Sequence, residues 1–207
     1  MHIPRKTWAI LTAITLAVIF AIICAWGYLE TEPFGFSRWV SREERDRRLF
    51  VVHTAEKYLG FREDNGSHKA IVDQYNRFQP LARDYEVTYT DSWCAAYVSA
   101  VAIECEVTDR IPTECSCGQQ IKLLQTIGCW QEKDSYFPLP GDLIYYDWDA
   151  PFAFDDCTGW PDHVGIVVGT FGPMIKVIEG NLSDSVAYRY IPVNNPRIRG
   201  YGIPDYS

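Results

Sequence analysis

The chain has 207 residues, 47% apolar and 22% charged, ordinary proportions for one globular domain or one domain with a tail. A formal net charge of −8, with no basic run beyond the mixed-sign SREERDRR (41–48), argues against nucleic acid as a partner, because phosphate binding needs clustered Lys and Arg. Thirteen tyrosines, ten phenylalanines and seven tryptophans supply enough aromatic surface for a sizeable core and an aromatic-lined groove.

In chain order, MHIPRK (1–6) reads as a short cytoplasmic N-terminus. Residues 7–29 carry no charge, and about twenty apolar residues are what a helix needs to cross a bilayer. Arg5 and Lys6 precede the run, so the positive-inside rule sets the following bulk outside the cell membrane. Ala25 and Gly27 are small enough for a signal-peptide cut, but the apolar run is long for a cleaved segment. Ile23 before Cys24 lacks the small side chain of a lipoprotein box. The expectation is therefore an uncleaved single-pass anchor, then a linker or stalk over 30–48 that holds Pro33 and Gly35.

From residue 49 the pattern is globular. LFVVHTAEKYLG (49–60) predicts an amphipathic helix stopped at Gly60, with His53 as a structural histidine on it. HKAIVDQYNRF (68–78) predicts a second helix. DSWCAAYVSAVAIECE (91–106) predicts a third, with Thr90, Asp91 and Ser92 as N-cap candidates and Cys94 in its first turn. There the orphan backbone N–H groups and the macrodipole favour an anion, which depresses a cysteine pKa. Ala95, Ala96, Ser99, Ala100 and Ala102 would let this helix lie close to a sheet. GQQIKLLQTIGCW (118–130) predicts a helix leading into a strand. LPGDLIYYDW (139–148), DHVGIVVGT (162–170), MIKVIEGN (174–181) and VAYRYIPV (186–193) predict strands, with RGYGIPDY (199–206) closing the sheet. Helices first and an antiparallel sheet second make the domain α+β.

The pair 162–170 and 174–181 is joined by FGP, a turn signal, so it reads as a hairpin centred near Gly172. That register sets Glu179 opposite Gly165 and His163 opposite Asn181. Side chains alternate along a strand and opposed residues share a face, so His163, Glu179 and Asn181 cluster at the open end. Gly165, lacking a side chain, marks a close approach for the small-residue helix. Packing there would bring the Cys94 thiol to the His163 imidazole, with Glu179 or Asn181 orienting the ring, in a nucleophile–base–orienter arrangement. The competing reading is a core cysteine beside a structural strand-end histidine.

YTDSWCAAYVSAVA, LPGDLIYYDW, DHVGIVVG and IKVIEGN, in that order, resemble the CHAP family of cysteine, histidine-dependent amidohydrolases/peptidases, over nearly all of 49–207. The resemblance implies a papain-like cysteine hydrolase fold. It implies Cys94 as nucleophile, His163 as general base, Glu179 as orienter and Asn181 as a polar stabiliser or alternative orienter. It also implies cleavage of an amide bond in bacterial peptidoglycan through a thioester, either N-acetylmuramoyl-L-alanine amidase or endopeptidase chemistry. Beside these residues, Trp93 either walls the substrate groove or is a core aromatic, and Asp162 is a turn acid that could touch substrate. Asp84, Glu86 and Asp91 resemble the acids with which some members bind calcium, but Ala96 stands where another acid would help; no metal and no cofactor are expected. The segment 149–161 reads as an insertion whose aromatics and acids either shape access to the site or simply cap the sheet. Cys105, Cys115, Cys117, Cys129 and Cys157 suggest one or two disulfides, without fixing the pairing. The rival functions are a non-catalytic wall-binding module and a membrane-proximal acyltransferase on the same fold.

Overall fold

The computed structural model describes residues 35–133, 135–149 and 159–207, together with Thr15 and Val18. Residues 37–207 form one compact unit. Its first helix, α1 (Arg42–Glu56), starts where the Ser41 hydroxyl accepts the Glu44 N–H at 3.1 Å, the bond for which serine is favoured at an N-cap. Residues 42–48 of the stretch read as a stalk are thus the opening of this helix. Its mixed charges are (i, i+4) neighbours: Arg47 pairs with Glu43, and Arg48 with Glu44 at 2.8 Å. Arg48 is not a surface charge at all, because it is buried against Asp142 at 2.7 Å. The domain therefore begins before residue 49.

The expectation of a papain-like domain preceded by a transmembrane helix is corrected in its membrane part. Among the described residues no helix is long and apolar enough to cross a membrane. Residues 7–29, apart from Thr15 and Val18, lie outside the described residues.

Helix α2 (Lys69–Arg77) follows α1, then a short 3-10 turn (Ala82–Asp84), α3 (Cys94–Glu104) and α4 (Cys117–Thr126). The strands are β1 (Trp130–Gln131), β2 (Leu143–Tyr146), β3 (His163–Phe171), β4 (Met174–Glu179), β5 (Ala187–Pro192) and β6 (Ile198–Gly202). They form one antiparallel sheet in the order β1-β6-β2-β3-β4-β5. The class is α+β, with the helices preceding the sheet in sequence.

Helix α3 is buried on every side from Cys94 to Ala102, as expected of an apolar helix in a core rather than on a surface. It packs with Leu143, Tyr145, Val164, Ile166 and Ile178 from one face of the sheet. The other face carries a second cluster of Ile144, Tyr146, Val167, Val177, Ile191 and Tyr201. Strand alternation divides the two sets.

The glycine that admits α3 is Gly180, not Gly165. A Cβ on Gly180 would overlap the Tyr97 ring, which sits one turn along α3 from Cys94. The Tyr97 hydroxyl bonds Ala55 O at 2.9 Å, tying α1 into the same junction. A Cβ on Gly165 would instead strike Val177 Cγ1 and Glu179 Cγ, 2.5 and 2.6 Å away. The bare position on β3 is thus filled by two side chains of its own hairpin partner, one of them the carboxylate-bearing Glu179.

The Pro-Gly-Asp turn before β2 has a structural task. Asp142 accepts from Arg48 at 2.7 Å, from the Leu139 N–H at 2.9 Å and from the Tyr136 hydroxyl at 3.0 Å. Arg48 also donates to Pro140 O, and the Tyr206 hydroxyl to Gly141 O. This hub fastens α1, the start of β2 and the C-terminal segment together.

Candidate active site

Cys94 is the first residue of α3. None of the expected side-chain caps is used: the N-cap is Trp93, whose side chain makes no capping bond. Asp91 is occupied elsewhere, accepting the Thr88 N–H at 2.7 Å and the Tyr85 hydroxyl at 3.0 Å. The Thr88 N–H in particular holds its carboxyl below the usual range. The uncapped N–H groups at the head of α3 are therefore left for an anion, and that of Ala95 helps to lower the Cys94 thiol.

The hairpin register places the other partners. Glu179 pairs with Gly165, as alternation required. At the tip, Phe171 pairs with Met174, so the turn centre lies between Gly172 and Pro173. An irregularity between Val167 and Gly169 takes up the offset, the effect of one extra residue in a bulged strand. Below it, His163 and Glu179 share a face, and His163 Nε2 donates to Glu179 Oε2 at 2.9 Å. Nδ1 is not used by Glu179, and Cys94 lies close enough to help raise the imidazole. The His163 ring also stacks on Tyr146 of β2, with centroids 6.0 Å apart.

Asn181 does not join this cluster. After Gly180 it takes φ of +59°, so the chain turns out of the strand before Asn181 could stand opposite His163. Glu179, fully buried, is the side chain that orients the ring. A residue that motif reasoning missed then completes the chain: Arg189 on β5 donates through Nε to both Glu179 oxygens, at 2.8 and 2.9 Å. Its guanidinium lies over the Trp148 ring, 4.6 Å from the centroid. Arg189 is diagonal to Glu179, since Val177 pairs with Arg189 and Glu179 with Ala187. Period-two alternation in VAYRYIPV was the available signal.

A second thiol lies at the site. Cys117 is the first residue of α4, and its sulfur is 3.7 Å from that of Cys94. The sulfurs are buried, with Cys94 4% and Cys117 7% exposed. The Cys117 hydrogen bond lowers the Cys94 thiol well below its ordinary value, opposed by burial and aided by His163 and the Ala95 N–H. Cys117 is pushed up by the same contact and by burial. For His163, burial opposes protonation, but Cys94 and Glu179 outweigh it and raise the imidazole to about 9. These directions favour negative charge on Cys94 beside a protonated His163, with the proton of the thiol pair on Cys117.

Of the two residues read as substrate contacts, Trp93 is placed otherwise, while Asp162 stays exposed next to His163. Trp93 is fully buried, its indole N–H on Glu63 at 2.9 Å, so it is a core aromatic and walls no groove. Asp162 accepts the Trp148 and Asp149 N–H groups at 2.7 and 3.2 Å, holding the chain just after β2 beside His163. Trp160, 62% exposed, is laid over Gly118, the residue after Cys117, where any Cβ would overlap its ring. Of the insertion 149–161, only Asp149 and residues 159–161 are described. A cavity of about 260 Å³ lined by Arg83, Tyr85, Asp91, Ser92 and Cys115 adjoins the residues that precede both thiols. A larger one, about 730 Å³, lies at the far end of α3 beside Phe50 and Cys105, away from Cys94 and His163.

The expected disulfides are not formed among the described cysteines: Cys94, Cys105, Cys115, Cys117 and Cys129 are all free thiols. Cys24 and Cys157 lie outside the described residues. Among the described residues no group of three or more His, Cys, Asp or Glu side chains is placed to hold a metal ion. No family model and no curated protein matches the chain.

Proposed function

We propose that the domain is a cysteine amidohydrolase acting through a thioester. The observation that carries this reading is the His163–Glu179 pair set beside Cys94 at the uncapped head of α3. The Cys94 thiolate attacks an amide carbonyl carbon, and the developing oxyanion is met by N–H groups at the helix start. The His163 imidazolium gives its proton to the departing amine as the C–N bond breaks. The neutral ring then takes a proton from water, which attacks the thioester and releases the acid and the Cys94 thiolate. Glu179 fixes the ring through Nε2, and Arg189 holds Glu179.

The substrate we propose is peptidoglycan, on the resemblance of the Trp-Cys, His-Val-Gly-Ile and Glu-Gly-Asn segments to the CHAP family. Such a substrate carries an extracytoplasmic location with it. The test is to incubate the full chain with purified peptidoglycan and follow released amines and fragments by mass spectrometry, beside Cys94→Ser. Wild-type protein releases new termini and the variant loses at least about a thousandfold of the rate, as expected for removal of a nucleophile from a concerted triad. Wall binding without cleavage contradicts the enzyme reading. Products carrying a transferred acyl group instead of a new carboxylate would make the domain an acyltransferase.

A further inference from the structure

We propose that Cys117 is a positioning residue for the nucleophile: its thiol donates an S–H hydrogen bond to Cys94 Sγ, giving the thiolate a second side-chain donor opposite His163. The inference rests on Cys94 being the nucleophile, but not on the identity of the substrate.

The contact is built, not incidental. The two sulfurs, 3.7 Å apart, belong to the first residues of two different helices, so each lies among backbone N–H groups that favour negative charge. The segment leading into α4 is fastened to α3 at Ser99, whose hydroxyl donates to Glu114 O at 2.7 Å and accepts the Glu114 N–H at 2.9 Å. The Glu114 carboxylate in turn accepts the Cys115 and Ser116 N–H groups at 2.8 and 3.1 Å, and Arg83 clamps it through two bonds. Gln120, one turn after Cys117, donates to Pro112 O and accepts the Tyr145 hydroxyl, each at 2.9 Å. These bonds fix the α4 head against the α3 head from both sides.

Charge settles which sulfur keeps its proton. Cys94 faces the His163 imidazolium from β3, Cys117 from α4 and Tyr145 from β2. Among the described residues, the charged groups that bear on Cys117 are Cys94 and the Asp162 carboxylate, with the Tyr145 hydroxyl also near. The negative charge therefore rests on Cys94, and Cys117 is the donor. A thiol is a weak donor, but one aimed at a buried anion stabilises it more than a neutral acceptor would.

The test is the pH dependence of Cys94 alkylation by iodoacetamide in the full chain, read at the Cys94 peptide by mass spectrometry, which needs no substrate. Cys117→Ala and Cys117→Val both remove the donor, and either one decides the question if the other fails to fold. The acid midpoint of alkylation is expected to rise by about one pH unit in these variants, the scale of one hydrogen bond to a charged group. Cys117→Ser, which restores a donor, is expected to recover most of the shift. An unchanged midpoint in the alanine or valine variant overturns the proposal, as does a serine variant no different from them. A non-reducing peptide map that finds Cys94 and Cys117 bridged in the active protein also overturns it. A shifted midpoint in a protein that leaves peptidoglycan intact would sink the proposed substrate and leave the thiol pair standing.

Discussion

Two buried polar clusters sit in this domain, and they are built to opposite ends. Around Asp142, the carboxylate oxygens meet Arg48, Tyr136 and a backbone N–H, and the neighbouring carbonyls are bonded as well. Around Cys94, the helix head has no side-chain cap and the thiolate faces two proton-bearing groups. The first cluster is saturated and holds elements together; the second keeps donors in hand at an atom that can react. A buried charge is thus no sign of chemistry by itself. What distinguishes the site is a nucleophile whose partners are donors in excess of its needs.

The largest effect that sharpens this contrast is on stability. Asp142→Ala leaves Arg48 buried without its main partner and is expected to cost about 3–5 kcal/mol. Denaturant melts should show the loss, while the fraction that stays folded should keep its Cys94 alkylation rate. A variant that lost reactivity without losing stability would erase the distinction between the two clusters. The smaller effect is on pH dependence. The imidazolium of His163 is lost as pH rises through about 9, so amide cleavage should fall on that limb for want of a general acid. Glu179→Gln removes a negative partner of the ring and should move the limb to lower pH by about one unit or more. A limb that stays where it was would mean that Glu179 does not bear on the imidazole.

How much of this was legible in the sequence depended on range. The face shared by His163 and Glu179 followed from alternation within one hairpin, and it survived an error in the turn centre because the irregularity near Val168 absorbed the offset. Asn181 was lost for a local reason: one residue past Gly180 the backbone enters the left-handed region, where strand alternation no longer applies. Gly165 was read for a helix contact, yet the short-range partner, Glu179, takes that space and Gly180 meets the helix. Arg48 sat in a run of mixed charge whose composition is that of a solvated face, and only its tertiary partner Asp142 reveals its burial. Cys117 lay in a Cys-x-Cys spacing without metal-site meaning. Its neighbour is set by the Ser99–Glu114 fastening between helices, which no local pattern records.

The central claim is that Cys94 carries the acyl group. Quenching the full chain during turnover of peptidoglycan and mapping the adduct by mass spectrometry tests it most directly. The account predicts a hydroxylamine-labile acyl mass on the Cys94 peptide, absent from Cys94→Ser. Released wall fragments with no adduct at Cys94, or with the adduct on Cys117, would contradict it.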